Sequence, residues 1–406
     1  MATKLRRSRF LDLRLKDQRC FDLDSFLAGK LDIRYGESKV LARAHLAGVQ
    51  TLLDSDELSL LMAVPESDWL SIHDLDTSVL REKTLDEWLD KMESNGLVLS
   101  DSDSPSSRAS VSEHDRFVEN HWSREAFRFF MDVNDIESRI CTEKTPTDYR
   151  SKVATAALDA NSFIEEKRSP PELFYTYDHG ARIRLSPGEL EGQLFELLEN
   201  RRTERFFDST KAITREQISS ILFHSFGTQE LFQISDQYFL QKKTSPSGGG
   251  LHPIEAFPIV LKAEGINSGI YHYDSRSHQL SVVKYGDELV LRQLSEILTQ
   301  EQGFVGNAHL LVILAARWRR NFWKYRQRPN TFNVIMMDAG HLGQTFNLTC
   351  AALGLGSFWT AALNRTRIAE VIGKELSDFG AIAICGCGIP DTTAPQLASK
   401  KLDRTR

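Results

Sequence analysis

Residues 244–255 read Thr-Ser-Pro-Ser-Gly-Gly-Gly-Leu-His-Pro-Ile-Glu, and this segment says most about the fold. Three consecutive glycines between two prolines let the backbone approach a flat ligand closely, because glycine has no side chain to obstruct the contact. The segment differs from a dinucleotide-binding fingerprint, since Pro253 stands where its last glycine belongs. It also lacks the Gly-Lys-Ser/Thr of a Walker loop. A flexible turn is the alternative interpretation of the same glycines.

The chain around this segment has a mixed pattern of helices and strands from about residue 185 onward. Five helical stretches are predicted at 189–200, 214–223, 287–301, 333–353 and 365–372. Five strand-like stretches are predicted at 257–262, 269–273, 279–284, 310–316 and 381–387.

Upstream, residues 201–205 carry three arginines and a hydroxyl, namely Arg201, Arg202, Thr203 and Arg205. Guanidinium groups present forked donors that suit a phosphate. The charge distribution agrees, because residues 169–406 have a net charge of +2 while residues 1–168 have −8. The segment therefore indicates an anionic ligand, and a solvated charged turn is the alternative.

Downstream, residues 317–328 contain six basic and four aromatic side chains. Such interleaving can bind single-stranded nucleic acid, and it can equally surround a flat anionic cofactor. Within the stretch, the cation of Lys324 next to the phenol of Tyr325 favours the phenolate. Tyr325 is therefore a candidate general base. A packing role is the alternative for this pair.

The predicted helix at 333–353 carries Asp338 and His341 on one face. Gly340 and Gly343 leave a smooth patch on it where another backbone can pack closely, which suggests a helix contact across a dimer.

The N-terminal part has the element order of a winged helix, with two short helices, a longer helix from Thr84 and a strand at 97–100. The longer helix has four acidic residues and one lysine, so it is poorly suited to DNA phosphates. A polar linker is predicted at 101–110, and helices are predicted over 111–168. The main domain boundary is expected near residue 169. The expected domains are therefore 1–104, 111–168 and 169–406.

Composition excludes several classes of protein. With 406 residues, 41% hydrophobic and 26% charged, the chain is an ordinary globular protein of more than one domain. Its longest apolar run, residues 310–316, is far shorter than the roughly 20 residues that cross a bilayer. No h-region follows the basic N-terminus, so a cytoplasmic location is expected. The five cysteines have no zinc-finger spacing, and no metal is expected. Cys385 and Cys387 are expected on one face of a buried strand.

Taken together, these motifs resemble the FMN-dependent nitroreductase superfamily. More narrowly, they resemble the SagB-type dehydrogenases that oxidise azolines to azoles in ribosomal peptides. The similarity spans about residues 170–390. The motifs that carry it are Pro170-Pro171, Leu185-Ser186-Pro187, Arg201–Arg205, Ser245–Glu255, Gly269–Asp274, Lys324-Tyr325, Arg328, Asp338–His341 and Gly354–Ser357.

The resemblance implies an α+β fold, with a central, mostly antiparallel sheet flanked by helices and preceded by the winged-helix-like domain. It implies FMN as the cofactor, with the phosphate and ribityl chain held by Arg201, Arg202, Thr203 and Arg205. The loop formed by Pro246, Ser247, Gly248 and Gly249 would lie against the flavin. The segment Trp359, Thr360 and Ala361 would pass near flavin N5, and Lys401 and Arg404 are candidates for closing on the phosphate.

The resemblance also makes Lys324 and Tyr325 the catalytic pair. It implies a ribosomal precursor peptide as the substrate, companion modification enzymes as partners, and a homodimer. Three departures concern substrate choice: Thr203 replaces the usual serine, His252 a tyrosine and Arg326 a glycine. Two alternatives stay open. One is a reductase of dehydroamino acids, nitro compounds or quinones that uses NAD(P)H, and the other is a nucleic-acid-binding regulator.

Overall fold

The structure, a computed structural model, describes residues 3–16, 19–21, 33–35, 39–81, 83–134, 173–174, 183, 185, 191–326, 328 and 330–394. The chain divides into two compact units. The first comprises Met1–Ile136 and Trp318–Asn333, and the second comprises Glu137–Arg317 and Val334–Arg406.

The first unit contains small antiparallel sheets and short helices. Its strands are β1 (Lys4–Arg7), β2 (Leu11–Lys16), β3 (Arg19–Phe21), β4 (Ile33–Tyr35), β5 (Lys39–Ala44), β6 (Val49–Leu53), β7 (Leu70–Ser71) and β8 (Val98–Ser100). They form sheets in the orders β7-β1-β8, β2-β5-β6 and β3-β4. Its first four α-helices are α1 (Ser55–Ala63), α2 (Leu85–Ser94), α3 (Pro105–Glu119) and α4 (Arg124–Asn134), with 3₁₀ turns at Ile72–Asp74 and Thr77–Val79.

The sequence of α2 explains its start. Thr84 accepts a hydrogen bond from the backbone amide of Glu87, whose carboxylate accepts one from the amide of Thr84, as the predicted capping box requires. Trp88 and Met92, four residues apart, are completely buried from this helix. The helix order agrees with the winged-helix prediction. In the sheet β7-β1-β8, however, the middle strand is β1, which comes from the N-terminus. The winged-helix likeness therefore stays a prediction.

The predicted linker at 101–110 is wrong in part, because α3 begins at Pro105. Ser104 accepts a hydrogen bond from the backbone amide of Ser107, and proline at the first helical position has no N–H to leave unsatisfied. The aromatic stripe is confirmed as core at Trp122, Ala126 and Phe130, whereas Phe129 is half exposed.

Residues Trp318–Asn333 join the first unit through aromatic packing. The indole of Trp122 lies 5.0 Å from the ring of Trp318 and 4.9 Å from the ring of Phe322, between ring centroids. Both Trp318 and Phe322 lie in the helix Trp318–Tyr325. Edge-to-face aromatic contacts of this kind stabilise a core beyond the area that they bury.

The second unit is built on one six-stranded sheet. The strands described in this unit, two in a separate hairpin and six in the sheet, are β9 (Glu230–Ser235), β10 (Tyr238–Lys242), β11 (Ile254–Val260), β12 (Gly269–Asp274), β13 (Gln279–Tyr285), β14 (Leu310–Arg317), β15 (Gly356–Thr360) and β16 (Phe379–Gly388). The sheet order is β13-β12-β11-β14-β16-β15, and every neighbouring pair is antiparallel. The expected antiparallel central sheet is therefore confirmed.

The described chain after residue 190 contains six α-helices. They are α5 (Gln193–Asn200), α6 (Arg215–Phe226), α7 (Glu288–Leu298), α8 (Trp318–Tyr325), α9 (Thr331–Ala352) and α10 (Arg365–Ile372). Helix α8 belongs to the first unit, and α9 runs from the first unit into the second. The central strand β14 is apolar and buried up to its last residue, as a strand covered on both faces must be. The hairpin β9-β10 has no counterpart among the predicted elements.

Candidate functional site

The glycine loop is fixed to helix α9 by Asp338. The Ser247 hydroxyl donates to the Asp338 carboxylate over 2.6 Å, and the backbone amide of Gly248 donates to it over 3.0 Å. Ser247 in turn accepts a hydrogen bond of 2.9 Å from the backbone amide of His252. Gly249 has a φ of 66°, in the left-handed region that glycine tolerates. The loop is therefore a held structure rather than a flexible turn.

Asp338 is buried, which has electrostatic consequences. Burial raises the pKa of its carboxyl, against the opposing effects of the Ser247 and Gly248 hydrogen bonds and of nearby His341. The sequence placed Asp338 and His341 on one face of the helix. It gave no sign that the carboxylate reaches a loop about ninety residues away along the chain.

The arginine segment runs along the end of the sheet. Thr203 forms a parallel bridge with Ser357 of β15, and the amide of Glu204 donates to the Ser357 carbonyl over 2.8 Å. Glu204 also accepts hydrogen bonds from the amides of Arg205 and Phe206. Its side chain lies over Gly356, where a Cβ would come within 2.5 Å of the Glu204 Cγ. This anchoring role of Glu204 was not predicted from the sequence.

The residues of this segment line two separate clefts. One cleft, of about 350 Å³, is lined by Thr203 and Arg205 together with Trp359 and Thr360. The other, of about 370 Å³, is lined by Arg201 and Arg202. Glu301 also lines the first cleft, and Glu196 and Glu204 line the second. The four predicted phosphate ligands therefore divide into two pairs, and Thr360 shares a cleft with only one pair.

The other proposed flavin contacts have different positions. Pro246 and Gly249 are exposed, and Ala361 is exposed beyond the end of β15. Arg205 lies over the Phe304 ring, with its guanidinium carbon 5.7 Å from the ring centroid. Lys401, Arg404, Pro170-Pro171 and Ser186-Pro187 lie outside the described residues.

Lys324 and Tyr325 end helix α8 in the first unit. The Lys324 ammonium lies 5.7 Å from the centroid of the Tyr325 ring. Tyr325 is partly exposed and lines a cleft of about 600 Å³ with His121, Trp323, Arg326 and Arg328. Tyr325 is therefore accessible to a ligand in a cleft that two arginines also line.

The glycine patch on α9 is half occupied by this same chain. A Cβ on Gly343 would come within 2.6 Å of the Trp359 ring, whereas a Cβ on Gly340 would meet nothing within 4 Å. The absence of a side chain at Gly343 thus leaves room for the indole of Trp359. Only Gly340 has the open surface that was predicted for both glycines.

The two cysteines of β16 are buried, as expected. Burial raises the pKa of the Cys385 thiol, and burial with a contact to Cys387 raises that of Cys350. Deeply buried thiols of this kind are poor nucleophiles. Among the described residues, no group of three or more His, Cys, Asp or Glu side chains could hold a metal ion. No helix in the described part of the chain is long and apolar enough to cross a membrane.

Comparisons with known proteins agree with this fold. A family model described as "Nitroreductase family" matches residues 198–389. The chain is 31% identical over 182 residues to "Putative nitroreductase MJ1384" of Methanocaldococcus jannaschii, covering 45% of this chain and 85% of that protein. It is 29% identical over 138 residues to "Trifolitoxin-processing protein TfxB" of Rhizobium leguminosarum bv. trifolii, covering 32% of this chain and only 35% of that protein.

Two solved structures illustrate the range of similar folds. The E. coli microcin synthetase McbBCD complex with truncated pro-MccB17 matches at 18% identity, with a TM-score of 0.46. The match covers 68% of this chain and 97% of that chain. A nitroreductase in complex with FMN from Desulfovibrio desulfuricans matches at 14% identity, with a TM-score of 0.34 and coverage of 52% and 94%.

The methanogen relative decides the assignment, because its similarity exceeds 30% identity and extends over most of its length. The expected superfamily and its FMN cofactor are thereby supported together. This chain belongs to the nitroreductase family.

Proposed function

We propose that this protein is an FMN-dependent oxidoreductase that matures a ribosomally made peptide by oxidising azoline rings to azoles. Family membership supports the flavin-dependent oxidoreductase. The similarity to a protein named for trifolitoxin processing supports a peptide substrate. The observation that carries the finer assignment is Lys324-Tyr325, which ends a helix with its phenol in an open cleft.

The residues present fit FMN in their chemistry. Thr203 and Arg205 give one cleft a hydroxyl and a guanidinium for the phosphate, beside Thr360. The loop at Gly248 and Gly249 presents backbone without side chains and is held in shape by Asp338. We therefore assign the phosphate to Thr203 and Arg205 before Arg201 and Arg202.

The proposed reaction removes two hydrogens from the azoline ring. Tyr325, assisted by Lys324, accepts the proton from carbon α. FMN held by Thr203 and Arg205 would supply the acceptor for the hydride from carbon β, with dioxygen as the final acceptor of the two electrons. Loss of the proton and the hydride leaves the aromatic azole, so atoms and electrons balance.

The first unit is the proposed docking site for the leader of the precursor peptide, and companion modification enzymes are the further proposed partners. Its helix α2 has four acidic residues and one lysine, which disfavours DNA as its partner.

The test uses a synthetic peptide that contains one thiazoline. Lys324→Ala and Tyr325→Phe should each slow oxidation by about 10²–10⁴-fold, because a positioned general base contributes about that much. Oxidation of the peptide is measured by mass spectrometry as a loss of about 2 Da, the mass of two hydrogens. Arg319→Ala, which removes an exposed cation from the same helix, is the matched control and should leave the rate unchanged.

Flavin absorbance separates the outcomes. Full FMN occupancy with wild-type turnover in Tyr325→Phe would show that the base is elsewhere, with His252 or His341 next in line. The same enzyme assayed on nitro compounds or quinones with NAD(P)H tests the reductase alternative. Turnover there, without thiazoline oxidation, would replace the proposed activity.

A further inference from the structure

The cleft beside Tyr325 has a charge pattern that the proposed reaction does not use. We infer that this cleft binds acidic side chains of the peptide, aspartate or glutamate residues that flank the ring to be oxidised. The inference rests on the proposed function for the identity of the ring. It adds a substrate class that neither the reaction nor the family membership specifies.

The lining of the cleft carries the argument. Arg326 and Arg328 supply two exposed guanidinium groups, and His121 supplies an imidazole. Trp323 is half exposed and offers a flat apolar wall. No carboxylate is among the described residues that line this cleft, whereas both clefts beside the arginine segment contain glutamate. A concave site of one charge sign raises the local concentration of the opposite charge.

Backbone strain points to the same place. Arg326 has a φ of 40° and His121 a φ of 61°, both in the left-handed region that residues with a side chain rarely adopt. Each residue follows a helix, where glycine would relieve the strain without loss of the turn. Strained positions concentrate at ligand sites, and two of them line this one cleft.

A structural explanation for these cations also exists and makes a different prediction. Arginine and histidine at helix C-termini offset the helix dipole, so the residues could serve the ends of α3 and α8 alone. Under that explanation, Arg326→Gly loses a small favourable interaction with the helix dipole, relieves the backbone strain at φ 40°, and leaves peptide binding unchanged. Under our inference, the same change weakens the binding of acidic peptides selectively.

The experiment measures binding by fluorescence anisotropy with the full chain. The probe is a fluorescein-labelled peptide with one thiazole flanked on each side by two aspartates, and its partner carries asparagines instead. Thiazole is the product of the proposed reaction, so no turnover disturbs the measurement. We expect tighter binding of the aspartate peptide. Its advantage should shrink in 1 M salt, where the screening length falls to about 3 Å.

The variants are Arg326→Gly, Arg328→Gln and, as the control, Arg319→Gln. Each cleft variant should raise the dissociation constant of the aspartate peptide up to about fivefold, as expected for exposed ion pairs. The asparagine peptide should change less than twofold, and the control should match the wild type. Thermal unfolding at an unchanged or higher temperature confirms that Arg326→Gly is folded.

Two results would overturn the inference: equal binding of the two peptides, or unaltered selectivity in both cleft variants. A twelve-nucleotide poly-thymidine strand that competes more strongly than the aspartate peptide would also overturn it, in favour of nucleic acid. A third peptide, with serine in place of thiazole, tests the aspartate preference of the cleft separately from the proposed azoline oxidation. If it keeps the aspartate preference while thiazoline peptides are not oxidised, the cleft assignment stands and the azoline assignment fails.

Discussion

Thr203 and Arg205 lie on one side of an extended segment, and Arg201 and Arg202 lie on the other. Arg205→Ala should therefore weaken FMN binding by at least about tenfold, since a hydrogen bond to a charged group contributes about 1.5–3 kcal/mol. Arg202→Ala should have a much smaller effect. Flavin absorbance of the purified protein and titration of the apoprotein with FMN measure both variants.

The pair of variants is its own control, because each removes one exposed arginine from the same segment. Equal losses of occupancy would mean that the phosphate is bound by both pairs or by residues outside this segment. Unchanged occupancy in both would contradict the phosphate assignment itself.

Gly343 carries the closest contact of α9 with Trp359. Gly343→Ala should reduce the free energy of unfolding by about 1–3 kcal/mol, because the added methyl group would overlap the indole. Gly340→Ala has open space and replaces glycine within a helix, so in a monomer it should stabilise the protein by up to about 1 kcal/mol. Urea unfolding gives both values, and a stabilised Gly343→Ala would show that Trp359 moves away freely.

Single residues differ in how far the sequence reveals their contacts. Ser247 and Gly248 are candidate flavin contacts because of the clustered glycines and the family resemblance, and that contact stays a prediction. Asp338 was visible only as one face of a helix. Its hydrogen bonds to the loop depend on tertiary structure, and no local pattern encodes a contact between residues about ninety positions apart.

Helices α1 and α2 are joined by a buried ion-pair network. The buried carboxylate of Glu57 receives the ammonium groups of Lys83 and Lys91, and Asp54 also receives Lys83. Burial alone would raise the pKa of Glu57, but the hydrogen bonds from Lys83 and Lys91 outweigh it and lower that pKa. The pKa of Asp54 is lowered in the same way.

A lowered carboxyl pKa stabilises the fold above the ordinary pKa, and the contribution is lost as pH falls through the lowered value. The urea concentration at the unfolding midpoint of the wild type should therefore decrease as the pH is lowered from about 5, just above the ordinary glutamate pKa of about 4.3, towards about 3. Glu57→Gln should cost about 1–3 kcal/mol at pH 7, because the buried side chain loses its charged hydrogen bonds with Lys83 and Lys91. It should also flatten the decline in acid.

Asp90→Asn, an exposed neighbour on α2, is the control and should keep the wild-type midpoint and pH dependence within error. A Glu57→Gln curve parallel to the wild type over this pH range would show that other carboxylates govern the acid response.

Elements were predictable where local signals are strong. The capping box of α2 and the apolar run of β14 placed both elements within a residue or two. Helix α3 was missed at its start, since a serine-rich stretch is typical of both linkers and helix caps. The hairpin β9-β10 was missed because β9 is exposed on both faces and neither strand's sequence has the apolar-polar alternation that marks a half-buried strand.

The second unit exposes apolar side chains that a monomer would normally cover. Phe232 and Ile234 of β9 are at least half exposed, and so is Met337, one turn before Gly340 on α9. Phe232 and Ile234 lie on the same face of β9, and clustered exposed apolar side chains are typical of an interaction site. The sequence predicts that two copies of the chain meet at α9 across a two-fold axis, and the homodimer stays a prediction.

A dimer has a mass twice the 46.1 kDa of the chain, which light scattering after gel filtration at micromolar concentration resolves. Gly340→Arg places a long cation on the open face of α9 and should convert the protein to monomers, because a self-complementary interface meets every substitution twice. Leu289→Lys, on the exposed face of α7, is the control and should leave the mass at the dimer value. If FMN binds near the interface, flavin occupancy should fall together with the mass. A wild-type monomer with full flavin would refute the dimer and confine the cofactor site to a single chain.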